Sequence, residues 1–248
     1  MSYSFFAEYY DCLTGNVDYS RKADYLIRLF ERYGHDPGVT LDLACGTGSL
    51  TIEMKKRGID IFGADASEEM LSQAMCKACD EELEILFLRQ KMQELQLYGK
   101  IDTCICTLDS INHITSSTVL TRAFSKISEY LDDNGLFVFD ANTVYKHRNI
   151  LGDNCYIYDN KDVFCAWQNN FNEKNNKVII TLDFFEPDGE RYKRSSEQFA
   201  ERAYTHEQME QMLGESGLII DAIYDDMSFD PPAENSEREI YVVRKMKR

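Results

Sequence analysis

Residues 39–57 carry the feature that most restricts the fold of this chain. The apolar run VTLDLAC is followed by two closely spaced glycines, Gly46 and Gly48, and then by a helical pattern that continues to about Arg57. The run predicts a buried strand, the glycines a tight turn, and the residues after Gly48 the start of a helix. Glycines let backbone approach a ligand closely, and the unpaired N–H groups at a helix N-terminus attract a carboxylate or phosphate. We therefore expect a ligand at this turn.

The alternation of strand and helix continues beyond this turn. Strand-like runs lie at 39–44, 59–64, 84–88, 101–107 and 135–140, with helical segments near 20–33, 48–57, 67–79 and 117–131. Such alternation predicts a parallel sheet covered by helices on both faces. From 153 to 203 the period becomes two, with turns at 173–176 and 187–189, which predicts an antiparallel excursion. A helix capped by Thr205 and two further strands follow.

Charge and composition restrict the class of partner and the compartment. The formal charge of −16, from 27 basic and 43 acidic residues, disfavours a nucleic-acid partner. The chain shows neither a signal peptide nor an apolar stretch of the roughly 18 residues that cross a bilayer, so we expect a soluble, cytoplasmic protein without a membrane partner. Cys45, Cys104 and Cys106 lie in apolar runs, which favours free thiols. Cys76 and Cys79 have no second pair at zinc-like spacing, and we predict no metal.

Asp65 extends the prediction at the glycine turn from a ligand to a nucleoside. It ends the second predicted strand, 19 residues after Gly46, where nucleotide-binding βαβ units place the acid that binds ribose hydroxyls. The simpler interpretation is that the glycines only form a turn and that Asp65 caps the helix beginning at Ser67. The dinucleotide fingerprint G-x-G-x-x-G would need a third glycine where Thr51 stands, which disfavours an NAD-dependent oxidoreductase.

Four motifs in order resemble those of the class I S-adenosylmethionine-dependent methyltransferases. They are LDLACGTG (41–48), GADASEEML (63–71), KIDTCICTLDSINHI (100–114) and LDDNGLFVFDANT (131–143). The flanks FAEYYDCL, ERAYTHEQMEQML and SEREIYVVRK are similar to a bacterial small-molecule subgroup that also resembles sugar-amine and glycine N-methyltransferases. The resemblance implies a doubly wound, seven-stranded, mostly parallel α/β sheet with an inserted antiparallel region. It also implies S-adenosylmethionine as cofactor and a small-molecule acceptor, methylated on nitrogen or oxygen.

This resemblance also divides the chain, which we expect to form one domain over residues 1–248. The expected parts are a helical lid at 1–35, a cofactor-binding core at 36–145, an antiparallel insertion at 153–203, and a helix and strands at 204–248 that complete the sheet. Action on RNA or protein, or cofactor binding without turnover, remain the alternatives within the family. The acidic charge and the sequence Leu108-Asp109-Ser110-Ile111, which lacks the Asn-Pro-Pro-Tyr type motif of many base-amine methyltransferases, disfavour a tRNA acceptor.

The family pattern assigns the cofactor contacts residue by residue. The backbone near Ala44, Gly46 and Gly48 takes the methionine moiety, and Asp65 takes the ribose hydroxyls. Further cofactor contacts are assigned to Ala66, Met70, Gln90 and Met92 at the adenine, and to Tyr10 and Tyr19 at the carboxylate end. Lys91 stands where many relatives have an acid that accepts from the adenine amine, so Gln90 or a backbone carbonyl must replace it. For the tyrosines, packing alone is the alternative.

The resemblance also proposes residues near the reacting methyl group. Asp109 is expected close to the methionine ammonium or the incoming nucleophile, and His113 is a candidate base for the acceptor. Their simpler roles are a turn cap and a structural loop histidine. Trp167, Tyr204 and Arg238 are expected in the acceptor roof, with core packing as the alternative. A dedicated nucleophile is unnecessary because the sulfonium is already an activated methyl donor.

Overall fold

The structure, a computed structural model, describes residues 9–11, 14–15 and 17–246 and contains two sheets. The strands of the larger sheet are β1 (Val39–Leu43), β2 (Asp60–Asp65), β3 (Phe87–Arg89), β4 (Ile101–Cys106), β5 (Leu131–Asn142), β10 (Leu218–Asp225) and β11 (Arg238–Lys245). Those of the smaller sheet are β6 (Cys155–Asp159), β7 (Phe164–Asn172), β8 (Lys177–Asp188) and β9 (Arg191–Arg202). The helices are α1 (Tyr19–Arg32), α2 (Ser49–Lys56), α3 (Glu68–Asp80), α4 (Ser117–Tyr130) and α5 (His206–Glu215).

The larger sheet has the strand order β10-β11-β5-β4-β1-β2-β3. β1 to β5 pair in parallel, whereas β11 runs antiparallel to both β5 and β10. The smaller sheet, β6-β7-β8-β9, is antiparallel throughout and lies in the chain between β5 and α5. The predicted doubly wound, seven-stranded, mostly parallel sheet with an antiparallel insertion is therefore confirmed.

Two strands begin three or more residues away from their predicted starts. β3 was expected at 84–88, but pairing begins only at Phe87, because β2 pairs with it through Gly63, Ala64 and Asp65 alone. Leu86, just before the paired segment, is 60% exposed. β5 was expected to begin near 135, but it starts at Leu131, since this residue pairs with Ile101 ahead of a register shift.

Alternate side chains of β5 build the core on both faces of the larger sheet. Leu136 and Val138 pack with α1 and α2, whereas Phe137 and Phe139 pack with α4 and α5. This alternation follows from the two-residue period of a strand that is covered on both faces. A third apolar cluster joins the inner face of the smaller sheet to Met70 of α3.

Side-chain caps fix where three of the helices begin. Asp18 accepts from the Arg21 N–H at the start of α1, and Ser67 accepts from the Met70 N–H at the start of α3. Thr205 and Gln208 form the reciprocal capping box of α5, which confirms the predicted cap. None of the helices in the part of the chain that the structure describes is long and apolar enough to cross a membrane.

The smaller sheet packs over the edge where β1, β2, β4 and β5 end. The turn after β4 contacts β9, because the Asn112 Nδ2 atom donates to the Arg202 carbonyl oxygen over 3.0 Å. The rings of His113 and Phe199 stack at the same place, with centroids 5.3 Å apart. The turn at the carboxyl end of β4 is thus covered by the insertion, and the carboxyl ends of the strands are where open α/β sheets bind ligands.

The close packing of β2 on β3 predicts a specific cost of adding a methyl group. A Cβ atom at Gly63 would lie 2.7 Å from the Phe87 ring and 2.8 Å from the Cys45 sulfur. We expect Gly63→Ala to lower the free energy of unfolding by roughly 1–3 kcal/mol in urea titrations. Gly99→Ala is the control, because a Cβ atom there meets no atom within 4 Å. Equal stability of the two variants would contradict this packing.

Candidate active site

The glycine turn after β1 is shaped by left-handed backbone. Ala44, Gly46 and Gly48 have φ angles of 59°, 54° and 74°. A Cβ atom at Gly48 would lie 2.8 Å from the Ala74 Cβ atom, so α2 and α3 pack closely only because this residue is glycine. A Cβ atom at Gly46 would meet no atom within 4 Å. Gly46 therefore presents bare backbone to open space, as a ligand-binding turn requires.

A small cavity of about 30 Å³ lies against this turn. Its walls include Asp42, Ala44 and Gly46 from the turn and Tyr10 and Tyr19 from the N-terminal part of the chain. Burial is the main cause that raises the pKa of both tyrosines, so both phenols are neutral hydrogen-bonding groups at neutral pH. The structure thus brings together four of the residues that the sequence analysis assigned to this end of the cofactor, Tyr10, Tyr19, Ala44 and Gly46.

Asp42 is a buried carboxylate beside this cavity. The Thr51 hydroxyl donates to it over 2.6 Å, and Asp42 forms none of the ion pairs found among residues 9–11, 14–15 and 17–246. Burial raises its pKa to about 7, with a smaller contribution from the charge of Asp65, and the Thr51 bond only partly opposes this. A cationic ligand group in the cavity would favour the ionised form of Asp42.

Asp65 ties the glycine turn to the start of α3. Its Oδ2 atom accepts from the Gly46 N–H over 3.0 Å, and its Oδ1 atom accepts from the Ser67 N–H over 2.8 Å. Burial raises its pKa, and these backbone donors oppose that effect. The helix-end contact of the simpler interpretation is thus present. Because a carboxylate has about four lone-pair positions, Asp65 keeps capacity for a ligand hydroxyl.

The residues assigned to the adenine lie around Asp65 but line neither this cavity nor the larger cleft beside it. Ala66 is exposed, whereas Met70 and Met92 are buried in two different apolar clusters. The Gln90 side-chain amide donates to the Gln96 carbonyl oxygen over 2.9 Å and accepts from the Gln96 N–H over 2.7 Å. Because both ends of this amide are hydrogen-bonded within its own loop, a backbone carbonyl is the better candidate to accept from the adenine amine.

A cleft of about 910 Å³ adjoins the small cavity and shares Tyr10 and Leu108 with it. Its walls come from the N-terminal part, the turn after β4, the smaller sheet and the segment that leads into β11. Among its lining side chains are Asp109, His113, Tyr158, Trp167, Glu201 and Arg238. The arrangement places a polar and aromatic chamber next to the glycine turn.

A buried ion network forms the floor between the two cavities. The Lys22 Nζ atom donates to Asp140 Oδ2 over 3.1 Å, and Arg238 pairs with Asp109 and lies 3.8 Å from Asp140. The Leu108 and Asp109 N–H groups also donate to Asp140, over 2.9 and 2.6 Å. Burial alone would raise the pKa of Asp140, but the two cations and these N–H groups lower it to about 2.

This network changes the interpretation of three residues. Asp109 lies in the left-handed region at φ 52° and is held there through its own N–H and through Arg238. Arg238 lines the cleft as expected, but its guanidinium is committed to Asp109 and Asp140. Sequence analysis did not single out Asp140. The signal was an acid at the end of the apolar run GLFVFD, in the strand next to β4.

Trp167 and Tyr204, both expected in the acceptor roof, occupy different environments. Trp167 lines the cleft, and its Nε1 atom donates to Asn169 Oδ1 over 2.6 Å. Tyr204 is buried away from the cleft, where its hydroxyl donates to the Ile114 carbonyl oxygen and the Arg202 guanidinium lies 4.7 Å over its ring. Burial raises its pKa to about 12. The structure therefore gives Tyr204 the core-packing role that was its alternative.

His113 lies where the candidate base was expected, on the cleft wall just after Asp109. Its Nε2 atom is 3.7 Å from Glu201, whose other carboxylate oxygen is 3.4 Å from His147. Sequence analysis singled out neither Glu201 nor His147. Each lies among other polar residues of its element, a pattern that carries no functional signal until the fold brings the three side chains together.

Comparison with known proteins identifies the class that this fold and turn define. Residues 40–135 match the family model described as a methyltransferase domain. The chain is 30% identical over its full length to YqeM of Bacillus subtilis strain 168, covering 98% of that protein, whose name assigns it provisionally to the methyltransferases. The protein belongs to the class I S-adenosylmethionine-dependent methyltransferases.

Two solved structures show the same relationship at different distances. A crystal structure of an S-adenosylmethionine-dependent methyltransferase from Clostridium acetobutylicum ATCC 824 superposes with a TM-score of 0.88 at 34% identity, covering 98% of each chain. The sugar N-methyltransferase KedS8 from Streptoalloteichus sp. ATCC 53650 superposes with a TM-score of 0.76 at 17% identity over 96% of this chain and 93% of KedS8, a likeness of fold. The cofactor of this enzyme is therefore S-adenosylmethionine, and the bare backbone of Gly46 with the uncompensated Asp42 fits it.

The raised pKa of Asp42 predicts how stability depends on pH without ligand. Because the folded-state pKa, about 7, exceeds the usual 3.8, this residue favours folding below about pH 4, and the contribution is lost as pH rises through 7. Asp42→Asn keeps an acceptor for Thr51 but cannot ionise. We expect its free energy of unfolding, relative to the parent, to increase by about 2–3 kcal/mol between pH 5 and 8. Urea titrations test this with the exposed Asp80→Asn as control, and a pH-independent difference would contradict it.

Proposed function

We propose that this protein transfers the methyl group of S-adenosylmethionine to an amine nitrogen of a ring-bearing small molecule. One observation carries the proposal: the cleft that adjoins the glycine turn combines carboxylates with aromatic rings on its walls. Glu201 provides a carboxylate on the cleft wall, and Tyr158 and Trp167 lie with ring centroids 6.2 Å apart. Carboxylates and aromatic faces together bind a cationic amine and an attached ring. The fold shared with the sugar N-methyltransferase KedS8 supports nitrogen.

When bound, the cofactor supplies an activated methyl group on a sulfonium centre. We assign its methionine end to the backbone of Ala44, Gly46 and Gly48 and to Tyr10 and Tyr19. Asp65 takes the ribose hydroxyls. We assign the adenine to a slot beside Ala66, Met70 and Met92, with a backbone carbonyl near Gln90 at its edge.

We assign residues 1–35, of which 1–8, 12–13 and 16 lie outside the described residues, to a lid over the cofactor. Asp11 supports this role, because the Thr47 hydroxyl of the glycine turn donates to Asp11 over 2.7 Å and Lys77 of α3 pairs with it. The cavity of about 30 Å³ beneath this contact has the volume of one water molecule. Cofactor entry therefore requires this contact to open. Residues 36–145 then form the cofactor core, and 153–203 with 204–248 cover the acceptor.

The rim of the cleft favours a small molecule over RNA. Asp225, Asp226 and Glu237 line it, and the chain carries a formal charge of −16. Such a rim repels a phosphate backbone.

A panel of small amines, each matched to the alcohol of the same skeleton, tests the proposal. The protein is incubated with S-adenosylmethionine and each compound, and products 14 mass units heavier are sought. Methylation confined to the alcohols, or to RNA or protein, would contradict an amine acceptor.

Cofactor binding at the glycine turn is tested with a matched pair of valine variants. Gly46 and Gly34 have nearly equal φ angles, 54° and 56°, and a Cβ atom at either meets no atom within 4 Å. Only Gly46 borders the cavity. In calorimetric titrations with S-adenosylhomocysteine we expect Gly46→Val to lose at least about 100-fold in affinity, or roughly 2.7 kcal/mol, and Gly34→Val to stay within about threefold. Equal losses would place the ligand elsewhere, and NAD should give no heat.

A variant of Trp167 tests whether acceptor binding and cofactor binding use different residues. With the amine found in the panel, we expect Trp167→Ala to lower kcat/KM at least about tenfold, mainly through KM, because the ring is a contact surface rather than a reacting group. Its affinity for S-adenosylhomocysteine should stay within about threefold. Tyr192→Ala, an exposed aromatic on β9, serves as the control. A joint loss of cofactor and acceptor binding in Trp167→Ala would contradict this separation.

A further inference from the structure

Glu201 lies between two histidines that come from separate elements. It projects from β9, and its side chain is only 5% exposed. The Nε2 atom of His113, in the turn after β4, is 3.7 Å from its Oε1 atom. The Nε2 atom of His147, in the short π-helical segment Lys146–Leu151, is 3.4 Å from its Oε2 atom. We call these three residues the Glu201 cluster.

The cluster holds most of the unpaired polar atoms found in the part of the chain that the structure describes. Six buried side-chain nitrogen or oxygen atoms there have no hydrogen-bond partner, and four of them are His113 Nδ1, both ring nitrogens of His147 and Glu201 Oε2. Proteins pair nearly all of their buried polar groups, and exceptions mark strain, catalysis or a missing ligand. The concentration of four such atoms at one cleft wall points to a functional group rather than to packing.

The partners of Glu201 differ from those of the nearby carboxylates Asp109 and Asp140. Asp140 pairs with Lys22, and Asp109 pairs with Arg238. The ion pairs recorded for Glu201 among the described residues are with histidines alone. Burial raises its pKa, but the two histidines that face it and the charge of Lys146 together hold it below the usual range. Glu201 is thus ionised and faces two imidazoles.

Other charged groups also face the cluster from the elements packed around it. Asp65, at the end of β2, interacts with His113, and Arg238, on β11, interacts with Glu201. Lys146 precedes His147, and Asp109 precedes the turn that carries His113. Of the three cluster residues, His113 has the exposed ring, at 30%, while Glu201 and His147 lie behind it. A proton from the cleft would therefore reach His113 first.

We propose that Glu201, supported by His147, is a positioning residue that lets His113 accept the proton of the acceptor's ammonium group. This inference rests on the proposed amine acceptor. The ammonium N–H bond breaks and its proton forms a bond to a His113 ring nitrogen, leaving the amine lone pair free. The amine then bonds to the methyl carbon while the carbon–sulfur bond breaks and its electrons stay on sulfur. The carboxylate of Glu201 stabilises the imidazolium by charge and holds its orientation.

Binding of a divalent cation is the alternative role of these side chains. Asp109, His113 and Glu201 each offer one ligand atom, and these atoms lie within 4.8 Å of one another. The pairing of Asp109 with Arg238 opposes this, because a divalent ion there would lie against a guanidinium. The experiments below therefore include a direct test of metal binding.

Histidine titration by NMR tests the cluster without acceptor or cofactor. The chain has four histidines, so each imidazole C–H signal can be assigned and followed with pH. In Glu201→Gln we expect the signals of His113 and His147 to change their dependence on pH, because the carboxylate that faces both rings is gone. His35 and His206 should not move. Glu239→Gln is the matched control, since His206 Nε2 lies 2.7 Å from Glu239 and only His206 should respond.

Kinetics with the methylated amine complete the test. In Glu201→Gln, the acid limb of the pH–rate profile should shift from its position in the parent enzyme. In Glu201→Asp, which keeps a carboxylate, it should return to that position. Both variants should keep their affinity for S-adenosylhomocysteine within about threefold. Unmoved titrations of His113 and His147, or an unmoved profile, would overturn the inference while leaving amine methylation intact. Calorimetric binding of MnCl2 or ZnCl2 that Glu201→Gln abolishes would also overturn it. A panel without a methylated amine would instead contradict the proposed function, whatever the titrations show.

Discussion

The site depends on one buried carboxylate, that of Asp140 at the end of β5. It binds Lys22 of α1, lies near Arg238 of β11 and accepts from the N–H groups of Leu108 and Asp109. Four parts of the chain therefore meet at two oxygen atoms. Its depressed pKa shows that these partners outweigh the cost of burial. The left-handed backbone at Leu108 and Asp109, which aims the turn after β4 into the cleft, persists because Asp140 holds both amides.

Local patterns predicted the sheet and the turn because each rests on residues that are near in sequence. Strand periodicity, Gly46 and Gly48, and the spacing to Asp65 all lie within about thirty residues of chain. The Asp140 network was missed, because Lys22 lies 118 positions from its partner and no periodicity links them. For Tyr204, the pattern placed an aromatic near the insertion but could not tell which side faced the cleft. For Gln90, a loop bond to Gln96 satisfies the amide that ligand recognition would need.

The two cavities differ in how their walls are held. The glycine turn is fixed by Asp65 and by the close approach of Gly48 to Ala74, so it is preorganised for a ligand. The segment that we assign to a lid is held differently, since it is joined to the turn and to α3 by the contacts of Asp11 with Thr47 and Lys77. A rigid floor with a separable cover suits a cofactor that must enter, react and leave in altered form, because such covers open without disturbing the catalytic wall.

Four acidic side chains around the two cavities each have a different kind of partner, and these differences indicate different roles. Asp140 has fixed cations and serves the fold. Asp65 has backbone N–H donors and keeps lone pairs for a neutral hydroxyl. Among the described residues, the Asp42 side chain has only the Thr51 hydroxyl as partner, so its pKa is raised and a cationic ligand would favour its ionised form. Glu201 has imidazoles, the partners whose charge changes near neutral pH. The less a carboxylate is compensated by fixed charge, the more its protonation state depends on what enters the site.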